Sequence, residues 1–101
     1  MLTNLVITAY CSCTLCCGPK ATGVTASGHR PTAQHTVAAS RQYPFGTILI
    51  INGVRYTVED RLARRYDSRV DIFMPTHRAA LKYGIHTNQV EVILPRNGTF
   101  H

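Results

Sequence analysis

The chain has 101 residues, 45% of them hydrophobic and only 16% charged, which is enough for one compact domain with a buried core and too apolar for a disordered polypeptide. With 11 Lys and Arg against 5 Asp and Glu, the net charge of +6 favours an anionic partner such as nucleic acid, a membrane surface or an acidic cell-wall polymer. The arginines are dispersed, without a zinc-finger spacing or an aromatic-basic strand signature, so nucleic acid is set aside, and no stretch approaches the length of a membrane span.

The amino-terminal ten residues lack the basic start and the long apolar run of a secretion signal. This predicts a protein made in the cytoplasm, a trimmed domain, or one released by another route such as host lysis. Leu2 to Tyr10 is apolar and β-branched, the composition of a first strand buried on both faces for part of its length. Residues 11–19, with four cysteines and a Gly-Pro end, cannot be regular structure. Residues 20–34 are rich in Gly, Thr, Ser, Pro and His and read as a long connection with a brief strand at Val24 to Ala26. In so small a domain such a connection is a functional loop or a crossover.

Thr36 to Ser40 reads as the next strand, and Tyr43 to Gly46 as a turn into a strand over Thr47 to Ile51. Asn52-Gly53 supplies the positive φ angles of a type I′ hairpin, returning the chain through Val54 to Glu59. In the return strand Val54, Tyr56, Val58 and Asp60 share one parity; in the following strand Val70, Ile72 and Met74 share one face, and Arg69, Asp71 and Phe73 the other. Thr76 is a suitable N-cap for a helix over His77 to Tyr83, and Gly84 a natural stop. Thr87 to Leu94 makes the last strand, Pro95 ends it, and the remainder to His101 is expected to be a loose tail. About six short strands with one small helix before the last predict a mainly β fold, a small closed barrel formed by residues 1–101 as a single domain with its core at about 5–94.

Two acids stand out at strand-like spacing. Asp60 and Asp71 lie on neighbouring apolar runs with an arginine-rich loop between them, and a carboxylate on a strand needs water, a partner or a substrate. They are therefore a site candidate. They also have a plainer reading, in which Asp60 opens a turn, Asp67-Ser68 forms one, and Asp71 pairs with Arg69 or Arg61 on the surface.

Seven segments occur in a telling order: Thr8-Ala-Tyr10, Thr25-Ala-Ser-Gly28, Val37-Ala-Ala39, Pro44-Phe-Gly-Thr47, Val58-Glu-Asp60, Arg69-Val-Asp-Ile-Phe73 and Pro75-Thr-His77. Together they resemble the 3D domain, named for three aspartates, a double-psi β-barrel found in the catalytic part of membrane-bound lytic transglycosylase A and in small bacterial and phage cell-wall proteins. The resemblance implies a six-stranded double-psi barrel. It further implies cleavage of the β-1,4 bond between N-acetylmuramic acid and N-acetylglucosamine in peptidoglycan, with a 1,6-anhydro product and no required cofactor. The catalytic acid would be Asp71, with Asp60 lining the groove beside it. Site of action would be the cell envelope or periplasm.

Two departures from the family pattern matter. Ser40 stands where the first aspartate is expected, and a serine cannot hold a charge. The loop over Arg61 to Arg65 replaces a glycine-rich segment; its arginines are either a solvated basic loop or a grip on stem-peptide carboxylates by bidentate pairing. The substrate-binding set implied is Tyr10, Ser40, Arg61 and Arg65.

Cys11, Cys13, Cys16 and Cys17 allow a zinc site, disulfides or reduced thiols, the spacing being tight for zinc. No metal is assigned. A cysteine peptidase built on Cys11 with His35 or His77 is the rival enzyme class, but no flanking signature supports it. The five histidines, His29, His35, His77, His86 and His101, show no ligand spacing. From a different class comes a catalytically silent carbohydrate-binding or structural barrel, like the expansin and barwin relatives of the fold; Ser40 favours it, and the paired acids favour the enzyme.

Overall fold

The computed structural model describes residues 1–11, 25–28, 30–62 and 68–95. Among them six strands and one helix follow in the order β1 (Leu2–Tyr10), β2 (Thr36–Ala39), β3 (Ile48–Ile51), β4 (Val54–Arg61), β5 (Arg69–Phe73), α1 (His77–Tyr83) and β6 (His86–Ile93). The predicted elements are all present except a strand at Val24 to Ala26, of which Val24 lies outside the described residues; Thr25 to Gly28 form a turn closed by Gly28 N–H donating to Thr25 O at 2.9 Å. The tail beyond Pro95 also lies outside them.

The sheet closes on itself in the order β1-β5-β2-β4-β3-β6, so every edge is paired. Two pairs are parallel, β1 with β5 and β2 with β4. The others are antiparallel. Alternation along each strand supplies the core: Ile7, Val37, Leu49, Val58, Val70, Ile72 and Val90 are fully buried inside the barrel. One lateral row of that interior is Ala9, Ile72, Val37 and Val58, residues partnered across β1, β5, β2 and β4.

Local chemistry fixes the ends. Asn52 and Gly53 take φ of 51° and 79°, as a type I′ turn requires. Thr76 caps α1 by accepting from Ala79 N–H at 3.0 Å, and Gly84 ends it at φ 77°. The helix buries Ala80 and packs on β1.

Register places the polar residues. The ladder of β2 on β4 runs Val37 to Val58, then Ala38 to Asp60, so Glu59 is an extra residue without a cross-strand partner. A bulge of this kind shifts the phase of everything after it. Simple alternation puts Asp60 on the inward parity of Val58; the bulge instead partners it with Ala38, on the outer side. That is a correction to the strand parity expected from sequence, and it moves an acid out of the core.

Candidate functional site

Across the outer side of the barrel runs a second lateral row, one residue displaced from the apolar one. Thr8 of β1 partners Asp71 of β5, Asp71 partners Ala38 of β2, and Ala38 partners Asp60 of β4. Laterally paired residues share a face of the sheet, so the two aspartates flank Ala38, two strand spacings or about 10 Å apart at Cα. The small Ala38 side chain leaves the space between them to whatever lies above.

Asp71 is 8% exposed and both of its oxygens are engaged. Arg69 sits two residues away on the same strand face; its Nε donates to Asp71 Oδ1 at 2.8 Å and to Thr8 Oγ1 at 3.0 Å, and its Nη2 to Asp71 Oδ2 at 3.2 Å. Thr8 Oγ1 also donates to Asp71 Oδ1. The sequence offered an arginine pair and a site as alternatives; here the arginine pair occupies the site.

Asp60 is held differently. Its Oδ2 accepts from the Tyr10 hydroxyl at 2.9 Å, and its Oδ1 from the backbone N–H groups of Ala26 and Arg61, each at 2.9 Å. With Ser27 N–H donating to Glu59 O at 3.1 Å, Asp60 fastens the 25–28 turn onto β4. Farther along the same connection, Gln34 N–H donates to Phe73 O at 3.0 Å. The described parts of the connection between β1 and β2 are thus fastened to β4 and to the end of β5 on this half of the barrel, where outward-facing Thr8, Ala38 and Asp71 are all buried. Tyr10, partner of Phe73 in the ladder, also stacks edge-to-face on it at 5.5 Å between centroids.

The remaining candidates are placed as follows. Ser40, one residue past β2, is buried, and among the described residues its Oγ is the only buried side-chain polar atom without a hydrogen-bond partner. Arg61 is the last residue of β4 rather than part of a loose loop; its Nη1 donates to Tyr43 O at 2.9 Å and to Ser40 O at 3.5 Å, and the guanidinium lies 3.9 Å over the Phe45 ring. Burial, then the charge of Arg41, press its pKa below the ordinary arginine value while Asp60 pulls it back. Arg61 therefore braces the turn after β2. Arg65, Cys13, Cys16, Cys17, His29 and His101 lie outside the described residues. Cys11 is buried at the end of β1. Among the described residues no three His, Cys, Asp or Glu side chains gather to hold a metal, and no helix is long and apolar enough to cross a membrane.

Sequence reasoning gave no role to Thr8, Glu59 or Thr36. Arg69 was legible from its two-residue offset to Asp71. Thr8 meets Asp71, 63 residues away in the chain, only through the parallel pairing of β1 with β5, and Glu59 depends on a bulge that no spacing announces. The chain matches no family model and no curated protein.

Proposed function

We propose that this protein acts on peptidoglycan glycan strands as a lytic transglycosylase-like enzyme of the 3D-domain type, with Asp71 as its acid. The observation that carries the reading is that Asp60 and Asp71, 11 positions apart in sequence, both partner Ala38 on the outer side of the barrel. The same reading takes the connectivity to be double-psi. Its support is two parallel ladders, β1 with β5 and β2 with β4, inside one closed sheet.

The chemistry follows from one carboxyl group. Protonated Asp71 gives its proton to the glycosidic oxygen, the bond from that oxygen to C1 of N-acetylmuramic acid breaks, and the leaving sugar departs as an alcohol. The Asp71 carboxylate then takes the proton of the C6 hydroxyl, whose oxygen bonds to C1 and closes the 1,6-anhydro ring. No water is consumed. Since both Asp71 oxygens are engaged by Arg69 and Thr8, the cycle requires at least one Arg69 N–H to leave Asp71 when the glycan arrives. Asp60 acts by holding Tyr10 and the 25–28 turn in place. The place of action that goes with this substrate is the cell envelope.

A second reading, a silent glycan-binding barrel, is favoured by the bidentate Arg69 pair and by Ser40 at the position of an expected aspartate. Incubation with purified sacculi separates the two. The enzyme reading expects 1,6-anhydro-muropeptides from the wild type and none from Asp71→Asn. Binding without product, unchanged by that substitution, supports the silent barrel, and new reducing ends without anhydro product indicate a hydrolase.

A further inference from the structure

Three carboxylates belong to β4 and β5 on the outer side, and they differ in what remains open to a ligand. Asp71 and Asp60 have protein donors on both oxygens. Glu59, the residue added by the bulge, is half-buried, and only its Oε1 is engaged, accepting from Thr36 Oγ1 at 2.6 Å. No hydrogen bond or ion pair reaches Oε2 among the described residues.

The engaged oxygen is firmly set. Thr36 is fully buried, and its Oγ1 accepts from Thr32 N–H at 2.8 Å, so its one proton is directed at Glu59. Glu59 O accepts from Ser27 N–H as well, anchoring the main chain. A carboxylate fixed at one oxygen, with the other lacking a donor among the described residues, presents an acceptor in a defined place. The sites along β2 complete the picture: by alternation Thr36, Ala38 and Ser40 lie on one side, successive members about 7 Å apart. Glu59 meets this line at Thr36, the two aspartates flank Ala38, and the partnerless Ser40 hydroxyl ends it. A buried hydroxyl without a partner is uncommon and is relieved by a ligand that can bond to it.

We infer that Glu59 is a substrate-binding residue whose Oε2 accepts a hydrogen bond from a hydroxyl or acetamido N–H of the glycan, with Ser40 contacting the same strand farther along. This rests on the peptidoglycan reading above, and it adds Glu59, to which sequence gave no role, to the groove that the resemblance lines with Asp60. A carboxylate only accepts, and a sugar edge is rich in O–H and N–H donors, so the match is chemical as well as spatial.

The test is calorimetric titration of the full chain with soluble N-acetylglucosamine–N-acetylmuramic acid oligosaccharides, alongside assay of anhydro product. Glu59→Gln keeps an oxygen for Thr36 but puts an NH2 donor in place of Oε2. It is expected to weaken binding about tenfold or more, with an unchanged melting midpoint and with product still formed at saturating glycan. Glu91→Gln, which removes an exposed acid of β6 on the other half of the barrel, is expected to bind like the wild type. Wild-type affinity in Glu59→Gln overturns the assignment whatever the product assay shows, as does equal weakening in Glu91→Gln. Selective weakening in Glu59→Gln without anhydro product from the wild type keeps the Glu59 contact and removes the transglycosylase reading alone.

Discussion

The two halves of this barrel share one interior and have opposite exteriors. On the β3-β6-β1 side the outer row is Ile50, Glu91 and Leu2, joined across the strands by register, with Leu2 59% exposed. On the β1-β5-β2-β4 side the corresponding row is Thr8, Asp71, Ala38 and Asp60, tied by side-chain hydrogen bonds within the row and to the 25–28 turn. The inner faces of both halves are mostly aliphatic and largely buried. What the contrast teaches is that inward residues maintain the barrel all round, while among the described residues the buried acid and the polar side chains bonded to it lie on one outer side, where burying them carries a cost that needs a reason.

That contrast can be broken in graded steps. The largest effect belongs to the shared interior: Leu49→Ala, at a fully buried position, is expected to lower stability by about 2–5 kcal/mol in urea unfolding. Next comes the polar quadrant. Arg69→Met leaves the buried Asp71 carboxylate without its guanidinium; because the Arg69 side chain is 31% exposed, the expected loss is about 1–3 kcal/mol rather than the full cost of an isolated buried charge. A neutral result for Arg69→Met means that the ion pair does not organise that face. Smallest is the other exterior, where Ile93→Thr, at a residue 39% exposed, is expected to stay within about 0.5 kcal/mol. A larger loss there shows that this side too carries a packed interface.

Much of the fold was legible in the sequence because its signals are local. Asn52-Gly53 demands a hairpin, Thr76 and Gly84 bracket a helix, and alternating apolar residues mark the strands that close the barrel. The site was legible only in part. Asp60 and Asp71 stood out as acids on neighbouring strands, and Arg69 as a near neighbour of one of them. What could not be read was their relation, since it depends on β2 lying between β4 and β5 and on a one-residue bulge at Glu59. Alternation carried through that bulge sends Asp60 inward, and only the register of the folded sheet turns it out. The fate of Arg61 is equally non-local: its guanidinium is taken by carbonyls 18 and 21 residues back in the chain. The cysteine loop at positions 12–17 and Arg65 lie outside the described residues.

The central claim is that glycan binds across β5, β2 and β4 and nowhere else on the barrel. Amide chemical-shift mapping of the labelled protein with a soluble N-acetylglucosamine–N-acetylmuramic acid oligosaccharide tests it residue by residue. The account predicts saturable shifts concentrated at Thr8, Ala38, Ser40, Glu59, Asp60 and Asp71, with Leu2, Ile50 and Ile93 unmoved. Shifts centred on Leu2, Ile50 and Ile93, or no saturable shift anywhere, would contradict it.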